Sequence, residues 1–133
     1  MFGVARADVR GLEVRVGERG IVARRTARGW EVAGRPARAS EADALNDLLD
    51  TLVGLRAVDA FRGRDQSSFG FDRPRAEIDL LTDRGRRRLV LGNLNAAASA
   101  VYARRERDPR VFTVGSLLLT EIERVFLGGE PSS

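Results

Sequence analysis

Two hydrophobic periods share this chain, and their order along it decides the fold. Leu45, Leu48, Leu49, Leu52 and Leu55 recur at helical spacing and form one apolar stripe. On either side of that stripe the apolar residues alternate instead. Leu12, Val14 and Val16 alternate with Glu13 and Arg15 before it; Ala76, Ile78 and Leu80 alternate with Glu77 and Asp79 after it; Arg87, Leu89 and Leu91 then alternate with Arg88 and Val90. A period of two belongs to a half-buried strand. A chain carrying both periods buries its helix against one face of an antiparallel sheet.

The expected architecture is α+β: an antiparallel sheet of about six short strands, one long amphipathic helix on one face, and a C-terminal helix. Residues 12–16, 21–26 and 30–32 read as a meander, with turns at Gly17-Glu18-Arg19-Gly20 and Arg28-Gly29. Pro36 closes it. Ser40 is the expected N-cap of a helix over residues 40–55, with Asp43 at the capping-box position, and Gly54 marks its end. In the hairpin around Asp83-Arg84-Gly85, a two-residue loop at Arg84-Gly85 pairs Leu80 with Leu89 and Ile78 with Leu91, which keeps the apolar side chains on one face. That register leaves Arg87 on the apolar side and sets Asp79 diagonal to Arg88. Two more strands are expected near residues 100–105 and 110–114, joined by a turn at Asp108-Pro109. Leu118, Leu119, Ile122, Val125 and Phe126 form a second stripe, capped by Ser116 and stopped at Gly128-Gly129. A single domain over residues 8–127 and a frayed tail over 128–133 follow.

Composition removes most chemistry. The 133 residues contain neither cysteine nor histidine, and every basic residue is arginine. Disulfides, thiolate catalysis, thiolate metal sites, Schiff bases and the phosphate-gripping lysine of a P-loop are therefore excluded. The pI of 11.0 overstates how basic the chain is, because arginine alone holds its charge to high pH; the working figure is a net charge of +4. No apolar run reaches the roughly 18 residues of a membrane span.

The remaining candidates have structural explanations. Asp43, Asp47 and Asp50 share the polar side of the long helix, where solvation accounts for them. Ser67 and Ser68 lie in a loop without a base to activate them. Trp30 and Tyr102 are expected to pack in or beside the core with their polar tips near water. The arginine clusters at 24–25, 86–88 and 104–107 sit in strands, where neighbours point to opposite faces, so none delivers all its charge to one surface. No catalytic residue, cofactor or metal ligand is expected.

Taken in order, Trp30, Gly70-Phe71-Asp72-Arg73-Pro74, Leu91-Gly92, Val101-Tyr102-Ala103-Arg104 and Val111-Phe112-Thr113-Val114 resemble the bacterial domain-of-unknown-function family numbered 4340. The similarity runs from about Val9 to Leu119. Its motif residues, Trp30, Gly70, Asp72, Pro74, Gly92 and Tyr102, are read as structural. The resemblance implies a cell-envelope protein on the extracytoplasmic side, tethered by a membrane helix upstream, and akin to accessory subunits of transporter-like or gliding-motility systems; a chain complete as written would instead be cytoplasmic. Here Phe71 replaces a more typical leucine, and the loop over residues 93–99 is alanine-rich rather than glycine-rich.

Two functions follow as expectations. The first is a non-catalytic module that scaffolds or binds a protein partner. The second is a basic module for nucleic acid or another polyanion, which the scattered carboxylates and the aromatic content of 6% disfavour.

Overall fold

A computed structural model describes residues 3–62 and 69–127. The chain runs β1 (Val9–Val16), β2 (Arg19–Thr26), β3 (Gly29–Val32), β4 (Arg35–Pro36), α1 (Ala39–Val53), β5 (Asp59–Arg62), β6 (Ala76–Thr82), β7 (Gly85–Leu94), β8 (Ala100–Arg105), β9 (Arg110–Gly115) and α2 (Leu117–Phe126), with a 3-10 turn at Arg6–Asp8. The α+β class holds, with both helices as expected, but the described residues form nine strands rather than about six. Their order is β4-β3-β2-β1-β6-β7-β8-β9-β5, and every neighbouring pair is antiparallel. Two four-stranded meanders therefore meet at β1 and β6. The chain crosses from one edge of the sheet to the other through α1. Two of the nine match no run expected from the sequence: the two-residue β4 and the edge strand β5, whose pairing of Asp59 with Thr113 is far from local.

The leucine stripe does what its period requires. Leu45, Leu48, Leu49 and Leu52 are 0–2% exposed and pack with Leu12, Ile78, Leu80, Leu89 and Leu91 from the facing strands. Each fully buried leucine contributes about 1.5–3 kcal/mol. Beside α1, α2 adds Leu118, Ile122 and Val125 to the same core. Asp47 and Asp50 stay on the outer side of α1, where they form ion pairs with Arg124 and Arg6.

Two local expectations need correction. First, α1 starts at Ala39 with Arg38 as its N-cap, one residue before Ser40 is reached. Arginine has no acceptor to cap with, so Glu41 forms the single working half of the box: the Arg38 N–H donates to its Oε1 at 3.0 Å. Glu41 also receives the Arg35 fork at 2.8 and 3.0 Å, which ties β4 to the helix.

Second, the β6–β7 loop is Asp83-Arg84, closing between Thr82 and Gly85, so Leu80 faces Arg87 and Ile78 faces Leu89. This register differs by two residues from the expected one, which preserves the faces, and it sets Asp79 directly opposite Arg88. The reason is the Thr82 hydroxyl, which donates to the Gly85 carbonyl and accepts from the Arg84 N–H. Gly85 carries the positive φ of 108°. Thr26, Arg28 and Gly29 build the same turn between β2 and β3.

Tyr102 packs beside the main core. It belongs to a smaller cluster with Phe69, Phe71, Val90 and Val111 on the sheet face opposite the helices. The expected helix stop at Gly128-Gly129 and the tail over 128–133 fall outside the described residues.

Candidate functional site

With both helices on one side, the other face of the sheet carries, among the described residues, the Tyr102 cluster, a row of polar strand positions and the loop from Phe69 to Arg75. Glu13, Asp79 and Arg88 line up across β1, β6 and β7. Arg88 grips Asp79 at 2.8 and 3.1 Å, while Arg86 reaches Glu13 at 3.0 Å and Asp79 at 3.3 Å. Hydrogen bonding to Asp79 drives the Arg88 guanidinium further above its ordinary pKa. These charges neutralise one another across the strands.

The loop that crosses this face carries most of the family motif. Gly70 has a φ of 82°, as a glycine turn requires, and a Cβ there would sit 2.5 Å from the Asn93 side chain. Opposite it, Gly92 on β7 lies directly beneath the Phe69 carbonyl, leaving no room for a side chain. This close approach lets Phe69 pack on Tyr102 at 4.9 Å between ring centroids and brings Phe71 under the Arg104 guanidinium at 5.1 Å. Pro74 follows, before β6 begins. Gly70, Gly92 and Tyr102 thus form one seam between loop and sheet. Asp72 is exposed on the loop. Trp30 stands apart: it is buried in the main core, and its indole N–H donates to Asn46 Oδ1 at 2.9 Å.

Beyond the seam, the tips of the β6–β7 and β8–β9 hairpins enclose a groove. One part, of about 640 Å³, is lined by Phe71, Pro74, Val90 and Arg104 among others. The adjoining part, of about 890 Å³, is lined by Arg84, Arg86, Arg87, Arg88, Arg105, Arg107 and Arg110 against only two carboxylates, Glu106 and Asp108. With Arg86 and Arg88 held by Glu13 and Asp79, the five remaining arginines face two carboxylates, an excess of three positive charges in one place. Asp108 joins Arg110 at 2.9 Å and Arg105 at 2.7 Å, and hydrogen bonds from Arg110 hold its carboxyl well below the usual carboxylate range. Arg107 completes the turn at a φ of 66°, unusual for a residue with a Cβ.

Alternation along a strand does divide the arginines between faces, as expected, yet the groove gathers them again. It wraps the end of the sheet, so side chains from both faces reach it. The sequence held a usable signal: clusters 86–88 and 104–107 lie beside the Asp83-Arg84 and Asp108-Pro109 turns, and every second turn of an antiparallel meander falls at the same end of the sheet. Among the described residues, no group of three or more acidic side chains could hold a metal ion. Ser67 and Ser68 lie outside the described residues.

Fold and site together define a helix-backed antiparallel sheet with an arginine-lined groove at one end. A family model described as a domain of unknown function, DUF4340, matches residues 42–124, more than half of the chain, and the chain belongs to that family. The match takes in Gly70, Asp72, Pro74, Gly92 and Tyr102 but starts after Trp30, so it is shorter than the resemblance from Val9 to Leu119. No curated protein and no solved structure matches the chain. No helix among the described residues is long and apolar enough to cross a membrane.

Proposed function

We propose that this domain is a non-catalytic module that holds a protein partner in the groove at its paired hairpin tips. The partner, in this reading, belongs to a bacterial cell-envelope assembly of the transporter-like or gliding-motility-like kind that the family resemblance implies. The groove is the observation that supports it: an open concavity of guanidinium, proline and apolar surface, without a nucleophile set beside a base. Its wall includes Phe71 and Pro74 from the family motif, which links the motif's structural work to a binding surface.

Nucleic acid is the weaker reading. Trp30 is buried, and Phe71 is covered by Arg104, so neither presents a ring on which a base could stack. A photo-crosslinking residue placed at Arg87 or Arg107, in cells producing the whole protein, tests the proposal. Capture of the same protein from both positions, and not from Val22 or Leu117, supports it. Capture of nothing from the groove, or equal capture from all four positions, would contradict it.

A further inference from the structure

We infer that the groove takes an extended, acidic segment of that partner, gripped by Arg84, Arg87 and Arg107 and paired along the free edge of β7; this rests on the proposed function above. The argument starts from which guanidiniums are already engaged. Arg86 and Arg88 are held by Glu13 and Asp79, and Arg105 and Arg110 by Asp108. These four are fixed by partners of the same chain and form the frame. Arg84, Arg87 and Arg107 are exposed and have no carboxylate within ion-pair distance among the described residues. They line the same part of the groove. Glu106 is the carboxylate of that wall without such an ion pair, so the frame leaves positive charge for a ligand to neutralise.

The backbone adds a second requirement. Pairing between β7 and β8 begins at Leu89 with Arg105, and the Glu106 N–H reaches the Arg88 carbonyl. Gly85, Arg86 and Arg87 continue beyond that point with β6 on one side and, among the described residues, no strand on the other. Backbone groups in a strand alternate in direction, so Arg86 faces the way Arg88 does, into the groove. A peptide lying extended there finds a main-chain donor and acceptor at Arg86 flanked by unengaged guanidiniums, which is strand addition with charged side pockets. Apolar surface at Val90, Pro74 and Pro109 suits a segment whose acidic residues alternate with small apolar ones. A phosphate backbone fits less well, because past the groove it would meet Glu77 on the same face, beside a row in which Glu13 and Asp79 already hold Arg86 and Arg88.

The test uses the whole chain and a fluorescein-labelled peptide of alternating glutamate and valine, with a glutamine-for-glutamate control. Binding of the acidic peptide should weaken with salt and fall by about tenfold in a triple variant carrying Arg84→Gln, Arg87→Gln and Arg107→Gln. A charge-matched variant carrying Arg24→Gln, Arg28→Gln and Arg56→Gln, all exposed elsewhere, should bind as the parent does. The backbone amide resonance of Arg86 should shift on binding. No binding at low salt, equal loss in both triple variants, or displacement by a tighter-binding single-stranded oligonucleotide would overturn the inference. If crosslinks from Arg87 and Arg107 still trap one protein in that case, the docking reading survives and only the acidic segment is lost; if those are absent too, both fall.

Discussion

The Phe69 carbonyl rests on Gly92, in the space a Cβ would occupy. That contact sets how closely the motif loop lies on β7, and therefore where Phe71 and Pro74 stand as a wall of the groove. Gly92→Ala forces the backbone of loop or strand to move, since the obstructing atom is main chain. A loss of about 1–3 kcal/mol is expected, the usual range for overpacking, read by urea unfolding. Phe69 should leave Tyr102, visible as a change in tyrosine environment. An unchanged midpoint and spectrum would mean the loop does not bear on β7.

Trp30 serves the core through its polar tip. Asn46 Oδ1 accepts from the Trp30 indole at 2.9 Å and from Arg6 at 2.8 Å. Asn46→Ala leaves the buried N–H without a partner and should cost about 1–3 kcal/mol. Tryptophan fluorescence during denaturation reports it directly. A neutral result would place Trp30's contribution in its ring alone.

Glu41 joins β4 to α1, and its hydrogen bonds from Arg35 and from the Arg38 backbone lower its pKa from 4.5 to about 2. The lowered value means the stabilisation is present above the unfolded carboxyl's range and is lost as pH falls through about 2. Arg35 is 49% exposed, which limits the ion-pair share. Glu41→Gln should therefore cost only about 1 kcal/mol at pH 7, cap included, and this difference should shrink as melts are taken down through about pH 2.

Glu121 has the opposite sign. Burial pushes its carboxyl pKa up, aided by Asp47 and Asp50 on α1 and opposed by Thr51 and Arg124. One of its oxygens is buried without a hydrogen-bond partner. A raised folded pKa means this carboxyl favours folding while protonated, and the benefit is lost as pH rises through that value. Glu121→Gln should melt higher than the parent at pH 7 and equally at pH 3. A lower Tm at pH 7 would show that the charged form is stabilising.

Much of this was legible from periodicity. Leu45, Leu48 and Leu52 could point only toward a sheet, and the alternation at Ile78, Leu80, Leu89 and Leu91 told which side of the strands they met. Less visible were features set by single polar atoms or by distant partners. The Thr82 hydroxyl moved the hairpin register by two residues without disturbing the apolar pattern, so the pattern had no means of choosing. β5 pairs with a strand about fifty residues away and carries too few apolar positions to show a period. Tyr102 sits on a strand whose two faces are both partly covered, which alternation does not distinguish. The arginine clusters were visible as clusters, but their convergence depends on which turns of the meander fall at the same end of the sheet.

The central claim, that binding happens at the hairpin tips and not between the helices and the sheet, is open to one direct measurement. Hydrogen–deuterium exchange of the whole chain, with and without saturating acidic peptide or the crosslinked partner, reads both regions at once. Slower exchange is expected across residues 84–88 and 105–110, strongest at Arg86, with α1 and α2 unchanged. Protection concentrated on α1 or α2, and none at the two hairpin tips, would contradict it.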